Sequence, residues 1–197
     1  HNDIKDALKR QLDEIEHANA TSNSKAQAKQ MVNEEARKAL SNINDATSND
    51  LVNQAKDEGQ SAIEHIHADE LPKAKLDANQ MIDQKVEDIN HLISQNPNLS
   101  NEEKNKLISQ INKLVNGIKD EIQQAINKQQ IENATTKLDE VIETTKKLII
   151  AKAEAKQVIK ELSQKKRDAI NNNTDLTPSQ KAHALADIDK TEKDALQ

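Results

Sequence analysis

The chain has 197 residues, 34% of them hydrophobic, and contains no Phe, Tyr, Trp or Cys. Because aromatic rings dominate the burial of ordinary globular cores, this composition excludes one thick core and favours helices that each bury a narrow apolar stripe. Two Gly and a net charge of −6, with acidic and basic residues interleaved, argue against β-rich folds, Gly-rich phosphate loops and a basic surface for nucleic acid.

The sequence repeats with a period of about 77 residues. Residues 74–120 align with 151–197 at a constant offset of 77 without a gap, and the first 73 residues follow more loosely. We therefore predict three units: 1–73 as a clipped repeat one, 74–150 as repeat two and 151–197 as the first two helices of repeat three. This period is long enough for three helices in each full repeat.

Turn and capping residues mark the predicted helix boundaries of repeat one. The polar run 21–24 predicts the loop between its first two helices, and the run 47–50 predicts the next junction. The dipeptide Leu71-Pro72 lies at the predicted boundary between repeats one and two. Since proline cannot continue a helix that precedes it, we predict a kink or break there.

Repeat two carries three apolar stripes with the i, i+3, i+4, i+7 spacing of helices that bury one face. Three stripes are the minimum for a closed three-helix bundle, and they predict an all-α fold. The stripes comprise Ala74, Ala78, Met81, Ile82, Ile89, Leu92 and Ile93; then Leu107, Ile108, Ile111, Leu114, Val115, Ile118, Ile122 and Ile126; then Ile131, Ala134, Leu138, Val141, Ile142, Leu148 and Ile149.

Two capping motifs occupy the same place in repeats two and three. Ser100 and Glu103 have the spacing of a capping box, in which each side chain accepts the other's backbone N–H. Thr177 and Gln180 repeat it, with Pro178 at the first helical position, where a missing N–H costs nothing. Both motifs predict the start of the second helix of a repeat.

The junction between repeats two and three has no breaker. Residues 130–170 contain no Gly, no Pro and no cluster of turn residues, and the apolar stripe runs through them. We predict one helix of about 40 residues, roughly 60 Å long, shared by two bundles. The expected architecture is all-α: tandem three-helix bundles in series, joined by long shared helices into an elongated rod.

We predict no catalytic, cofactor-binding or metal-binding residue. His65 and His67 are two residues apart, which places them on different sides of a helix, whereas a helical metal pair needs a spacing of three or four. The pairs Glu34-Glu35 and Glu102-Glu103 lie among basic residues on polar faces. Gly59 and Gly117 fall inside helices, where close packing or simple tolerance is favoured over a ligand role. The chain is therefore not expected to be an enzyme.

Two stretches resemble a known family. They are the helix opening Ala-Lys-x-x-Ala-x-x-x-Ile at 74–82 and 151–159, and the segment 165–173 followed by Leu-Thr-Pro-Ser-Gln-Lys at 176–181. Both resemble the tandem repeats of unknown function in large staphylococcal cell-wall-anchored surface proteins of the SasC, FmtB/Mrp and Ebh type. The resemblance implies an extracellular location, anchorage to peptidoglycan through regions outside this segment, and a context of adhesion, aggregation and biofilm formation. The resemblance assigns no catalytic or ligand-binding role to any residue of this chain.

We therefore expect a non-enzymatic stalk or spacer that projects an adhesive region from the cell surface. Two alternatives stay open: a module that binds a host protein, and homophilic adhesion by weak self-association. The first requires an exposed apolar patch, and none is evident in the sequence. No stretch is apolar enough to cross a membrane, and neither a nucleic-acid partner nor a cofactor is expected.

Overall fold

A computed structural model describes residues 2–197, which form helices and short connections with no strand in that range. The predicted all-α class is confirmed. In chain order the helices are α1 (Asn2–Glu16), α2 (Ser22–Asp45), α3 (Asn49–Glu64), α4 (Leu71–Ser94), α5 (Asn101–Gln124), α6 (Lys128–Asn171) and α7 (Pro178–Leu196).

The capping boxes set the starts of α5 and α7 as the sequence predicts, whereas the runs predicted as loops are partly helical. Residues 22–24 of the run 21–24 form the first turn of α2, and residues 49–50 of the run 47–50 begin α3. Thr21 and Ser48 are the N-caps of α2 and α3, and each side chain accepts the backbone N–H three residues on. Both capping boxes form. The Glu103 N–H donates to Ser100 Oγ at 3.1 Å while the Ser100 N–H donates to Glu103 Oε1 at 3.3 Å. Thr177 and Gln180 exchange the equivalent pair of bonds.

The predicted uninterrupted helix is confirmed. Helix α6 spans 44 residues without a break, which corresponds to about 66 Å. The predicted break near Pro72 is also confirmed, and it lies just ahead of the proline, between the end of α3 and the start of α4. Pro72 itself occupies the first turn of α4, where its fixed φ suits a helix and its missing N–H would have had no partner.

The chain divides into two compact units, and α4, α5 and α6 each have residues in both. Unit 1 comprises the chain up to Met81 together with Asp120–Asn133. Within it α1, α2 and α3 pack against one another in all three pairs. Their shared core consists of Ala and Ile side chains with Val32, and it extends into the connection after α3 through Ala68.

Unit 2 comprises Ile82–Lys119 and Ala134–Gln197. Its buried side chains are again almost all Ile, Leu, Val and Ala. An ion pair joins each pair of helix segments from α4, α5 and α6 within this unit. Lys119 of α5 pairs with Asp83 of α4, Lys85 of α4 with Asp139 of α6, and Lys152 of α6 with Glu103 of α5. The repeat boundaries at 73 and 150 remain predictions.

Four residues of the predicted stripes are solvent-exposed, and for them the sequence interpretation is wrong. Met81, Leu92 and Leu148 are exposed while the next residue along the helix (Ile82, Ile93, Ile149) is buried. Consecutive residues point about 100° apart, so only one of each pair can face a narrow core. Ile126 is 78% exposed because α5 ends at Gln124 and the neighbouring Ala125 is buried instead.

The two glycines have opposite environments, which makes them a matched pair. A Cβ on Gly59 would lie 2.5 Å from Ala39 Cβ and 3.0 Å from Ile4 Cδ1, whereas a Cβ on Gly117 would meet nothing within 4 Å. We expect Gly59→Ala to destabilise the protein by about 1–3 kcal/mol through overpacking. Gly117→Ala should stabilise it by up to about 1 kcal/mol through helix propensity. Chemical denaturation of both variants tests this, and equal effects would contradict it.

The pair Leu148 and Ile149 tests which face of α6 is buried. Ile149 is 6% exposed and Leu148 is 41% exposed. Because Asp at position 149 would bury a charge without a partner, Ile149→Asp should lower the free energy of unfolding by about 3 kcal/mol or more. Leu148→Asp should change it by about 1 kcal/mol or less. Thermal melts followed by circular dichroism measure the stability of both variants. A larger loss of stability in Leu148→Asp than in Ile149→Asp would mean that α6 buries the opposite face.

Candidate functional site

His17, His65 and His67 are dispersed and make local contacts. His17 Nδ1 lies 2.8 Å from the Asp13 carbonyl oxygen and His65 Nδ1 lies 2.6 Å from that of Ser61, so both lie against the last turn of their own helices. His67 Nδ1 reaches Glu14 Oε1 at 3.0 Å, which ties the α3–α4 connection to α1. Within residues 2–197 no three His, Cys, Asp or Glu side chains come together as a metal site would require.

Surface amides form a recurrent pattern of i, i+4 bonds. Six Gln side chains each donate Nε2–H to a side-chain oxygen four residues further on, at 2.9–3.3 Å. Such pairs stabilise the exposed side of a helix by a few tenths of a kcal/mol each. The donors are Gln30, Gln54, Gln84, Gln129, Gln157 and Gln164. They line helix surfaces rather than a cleft.

Helix α6 is anchored to the start of α5 by two lysines. Lys152 donates to Glu103, and Lys156 donates to the Asn98 carbonyl oxygen in the loop before α5. The hydrogen bond from Lys152, followed by that from the Ser100 N–H, holds the pKa of Glu103 below its usual value against the opposing effect of partial burial. Lys29 lowers the pKa of Glu16 in the same way, across α1 and α2.

An ion cluster joins α6 and α7 at positions whose counterparts 77 residues earlier are uncharged. Arg167 of α6 donates Nε–H to Asp189 at 2.9 Å and Nη2–H to Glu192, both on α7. These hydrogen bonds raise the pKa of Arg167 above its already high value, so the guanidinium stays charged. Seventy-seven residues earlier stand Asn90, whose buried Oδ1 has no hydrogen-bond partner among the described residues, and the buried Val115.

An open apolar face lies along α6 and α7. Ile159 and Leu162 of α6 and Ile188 of α7 line a shallow groove, together with the polar side chains of Lys166, Asp187 and Thr191. We call these six residues the open face. Leu162 is 55% exposed and the nearby Val158 is 53% exposed. This corrects the sequence interpretation, which found no exposed apolar patch.

The sequence does contain a signal for the open face. Apolar residues continue along α6 at positions 151, 155, 159 and 162, with spacings of three and four. Taken alone, this stripe predicts burial in a bundle. The structure instead leaves Leu162 of this stripe 55% exposed.

The described helices contain no stretch that is both long and apolar enough to cross a bilayer.

The DUF1542 family, a domain of unknown function, matches the chain twice, over residues 1–71 and again over 74–149. The chain belongs to the DUF1542 family. The two matches together cover most of its length, and no solved structure gives a significant match.

Proteins of Staphylococcus aureus are similar to this chain over most of its length. The chain is 40% identical over 184 residues to the extracellular matrix-binding protein EbhA of strain Mu50, covering 93% of this chain and 3% of the relative. It is 39% identical over 184 residues to EbhA of strain Newman, covering 93% of this chain and 5% of the relative. The match to the extracellular matrix-binding protein ebh of strain USA300 is 35% over 271 residues, covering 98% and 3%. This chain thus spans only a small fraction of each relative.

We expect acid to weaken the attachment of α6 to α5. Because the pKa of Glu103 is lower in the folded state, its contribution to stability is complete above its unfolded pKa and disappears as the pH falls through the folded value. Glu103→Gln should therefore lower the melting temperature at pH 7 and have no effect near pH 2. Glu102→Gln is the control, since Glu102 is exposed in the same helical turn. A Glu103→Gln effect that is independent of pH would contradict the ionic role of this residue.

Proposed function

We propose that this chain is a non-enzymatic stalk segment of a bacterial surface protein, built of repeats 1–73, 74–150 and the partial repeat 151–197. The observation that carries the proposal is α6, whose 44 residues run without a break through the junction between repeats two and three. A linker that let adjoining repeats move independently would contain Gly, Ser or Pro, and residues 131–162 around this junction contain none.

Side-chain contacts support stiffness at that junction. Lys152 and Lys156 lie just beyond residue 150 and attach α6 to Glu103 and to the loop at Asn98. Bending the helix there would require these contacts to separate as well as the backbone hydrogen bonds to break. The junction is therefore held from the side in addition to being helical.

The earlier junction is interrupted, but it is also anchored. Gln11 is buried and donates Nε2–H to the Ile66 carbonyl oxygen at 2.6 Å, and His67 contacts Glu14. Ala68 belongs to the core of unit 1. Three of the six residues between α3 and α4 are thus fixed against α1 or the core, which supports a fixed bend rather than a free hinge.

The relatives supply the proposed setting. They are named extracellular matrix-binding proteins, and this chain corresponds to 3–5% of their length in the matches described. We propose an extracellular location, with anchorage to the cell wall through regions outside this segment, in adhesion, aggregation and biofilm formation. Interleaved surface charge with a net value of −6 suits a segment that must stay extended and hydrated.

A second candidate function is adhesion by the segment itself, to a matrix protein or to another copy. The open face favours it, because Leu162 and Ile188 present apolar surface beside the charged Lys166 and Asp187. An adhesive segment should associate in a saturable manner, whereas a spacer should stay monomeric. Self-association would therefore raise the measured mass, whereas binding to a matrix protein would appear as saturable capture of the monomer.

Small-angle X-ray scattering with light scattering over a concentration series tests the stalk. We expect a monomer with a radius of gyration well above the approximately 16 Å of a compact domain of this length. Ala151→Pro should broaden the distribution of distances, because proline inside a helix breaks it at a cost of about 3 kcal/mol. Asn101→Pro is the control, since position 101 begins α5 and tolerates proline.

A compact particle, or an Ala151→Pro curve identical to that of the parent, would refute the stalk. Mass that doubles with concentration would favour homophilic adhesion. Saturable capture of the monomer by an immobilised matrix protein, lost in Leu162→Asp, would favour the host-binding module.

A further inference from the structure

Helix α5 contains the only Asn-Gly pair of the sequence, at Asn116 and Gly117. Packing does not require this glycine, since a Cβ there would meet nothing within 4 Å and no described glycine has a positive φ. Glycine in a helix interior is destabilising relative to alanine. Gly117 therefore weakens α5 without a contact that explains it, in contrast to Gly59, whose missing Cβ lets Ala39 approach.

Asn116 and Gly117 are both exposed, and together they can react with each other. The Gly117 nitrogen is accessible to the side chain before it, because glycine has no Cβ to hinder the approach. When this nitrogen attacks Asn116 Cγ, the Cγ–Nδ2 bond breaks and the amide group leaves with the proton of the Gly117 N–H as ammonia. The product is a five-membered succinimide. One water molecule then opens either ring carbonyl, which gives aspartate or isoaspartate.

The helical conformation of α5 opposes the first step. A helical ψ of about −42° at Asn116 turns the Gly117 nitrogen away from Asn116 Cγ, so the ring cannot close. Regular helix geometry also pairs the Gly117 N–H with the carbonyl oxygen of Lys113. Asn116 lies more than two turns from either end of α5, beyond the reach of end fraying. The reaction therefore requires the interior of this helix to open.

We propose that Asn116-Gly117 is a self-modification site whose deamidation is gated by the opening of α5. While α5 is closed, the pair is inert although it is exposed to water. Each opening frees the Gly117 nitrogen, so the accumulated product records how long α5 has been open. Water is the only co-reactant, and the step needs neither an enzyme nor a cofactor.

The isoaspartate product makes the opening permanent. It routes the main chain through the side chain of residue 116, which inserts one carbon atom before Gly117. Val115 and Ile118 flank the pair and are 6% and 1% exposed, so both must fit the same core. An extra main-chain atom between them displaces one relative to the other and moves Lys119 away from Asp83, its ion-pair partner on α4. The aspartate product adds a charge but leaves this register intact.

The test follows deamidation of the 197-residue chain in native buffer and in guanidinium chloride at the same pH and temperature. Peptide mass spectrometry with chromatography separates the aspartate and isoaspartate products. We expect Asn116 to react at least about a hundredfold more slowly in the native chain, because the open form of a folded segment is rare. In guanidinium chloride, Gly117→Ala should slow the reaction by adding the missing Cβ. Equal rates in native buffer and in denaturant would overturn the proposal.

Substitutions at Asn112, which is exposed one turn before the pair, test whether α5 is the gate. Asn112→Gly should react about fivefold faster than Asn112→Ala in native buffer, because glycine and alanine differ by that factor in helix propensity. The same two substitutions at Asn33, exposed on α2, should leave the native rate unchanged. Rates in guanidinium chloride normalise all four variants. A native rate that responds to neither position, or equally to both, would overturn gating by α5.

Asn116→Asp is the control for the consequence of the reaction. This variant and the purified isoaspartate form carry the same charge, and only the isoaspartate form has the additional main-chain atom. We expect the isoaspartate form to melt at a lower temperature when followed by circular dichroism. Equal melting temperatures would mean that the product still fits α5, which would refute the permanent opening.

Discussion

Close approach between helices is the constraint on which the rest of this structure depends. Without Phe, Tyr or Trp, the chain can bury apolar surface only by packing aliphatic side chains closely together. Gly59 illustrates the requirement, since the position of its missing Cβ is 2.5 Å from Ala39 Cβ. The buried set consists largely of Ile and Ala, and each helix therefore contributes a narrow stripe to its core.

Narrow cores leave most of each helix in water, and the polar surface then stabilises the arrangement. Lysine and carboxylate pairs link α4, α5 and α6 within unit 2, while Gln side chains bridge successive turns of single helices. Exposed pairs of this kind each contribute little. Their number and their distribution along the chain favour one orientation of each helix, which the apolar stripe alone would specify weakly. Lys152 and Lys156 do this where α6 passes the start of α5.

Residues 151–197 show how one apolar pattern can occur in two structural settings. They keep many of the apolar positions of residues 74–120, yet their two helices are joined by Arg167, Asp189 and Glu192, where the residues 77 positions earlier are uncharged. This ion cluster links α6 and α7 beside the open face.

The helices, two capping boxes and the unbroken α6 were predictable from the sequence, because these depend on interactions within a few residues. Ser100, Thr177 and the absence of breakers from 130 to 170 were sufficient. Only the tertiary structure decided which of two adjacent apolar residues is buried, as at Leu148 and Ile149, and which stripe lacks a partner, as at Leu162 and Ile188. Periodicity gives the direction of a face to within about one residue, whereas burial depends on the position of a neighbouring helix that is distant in sequence.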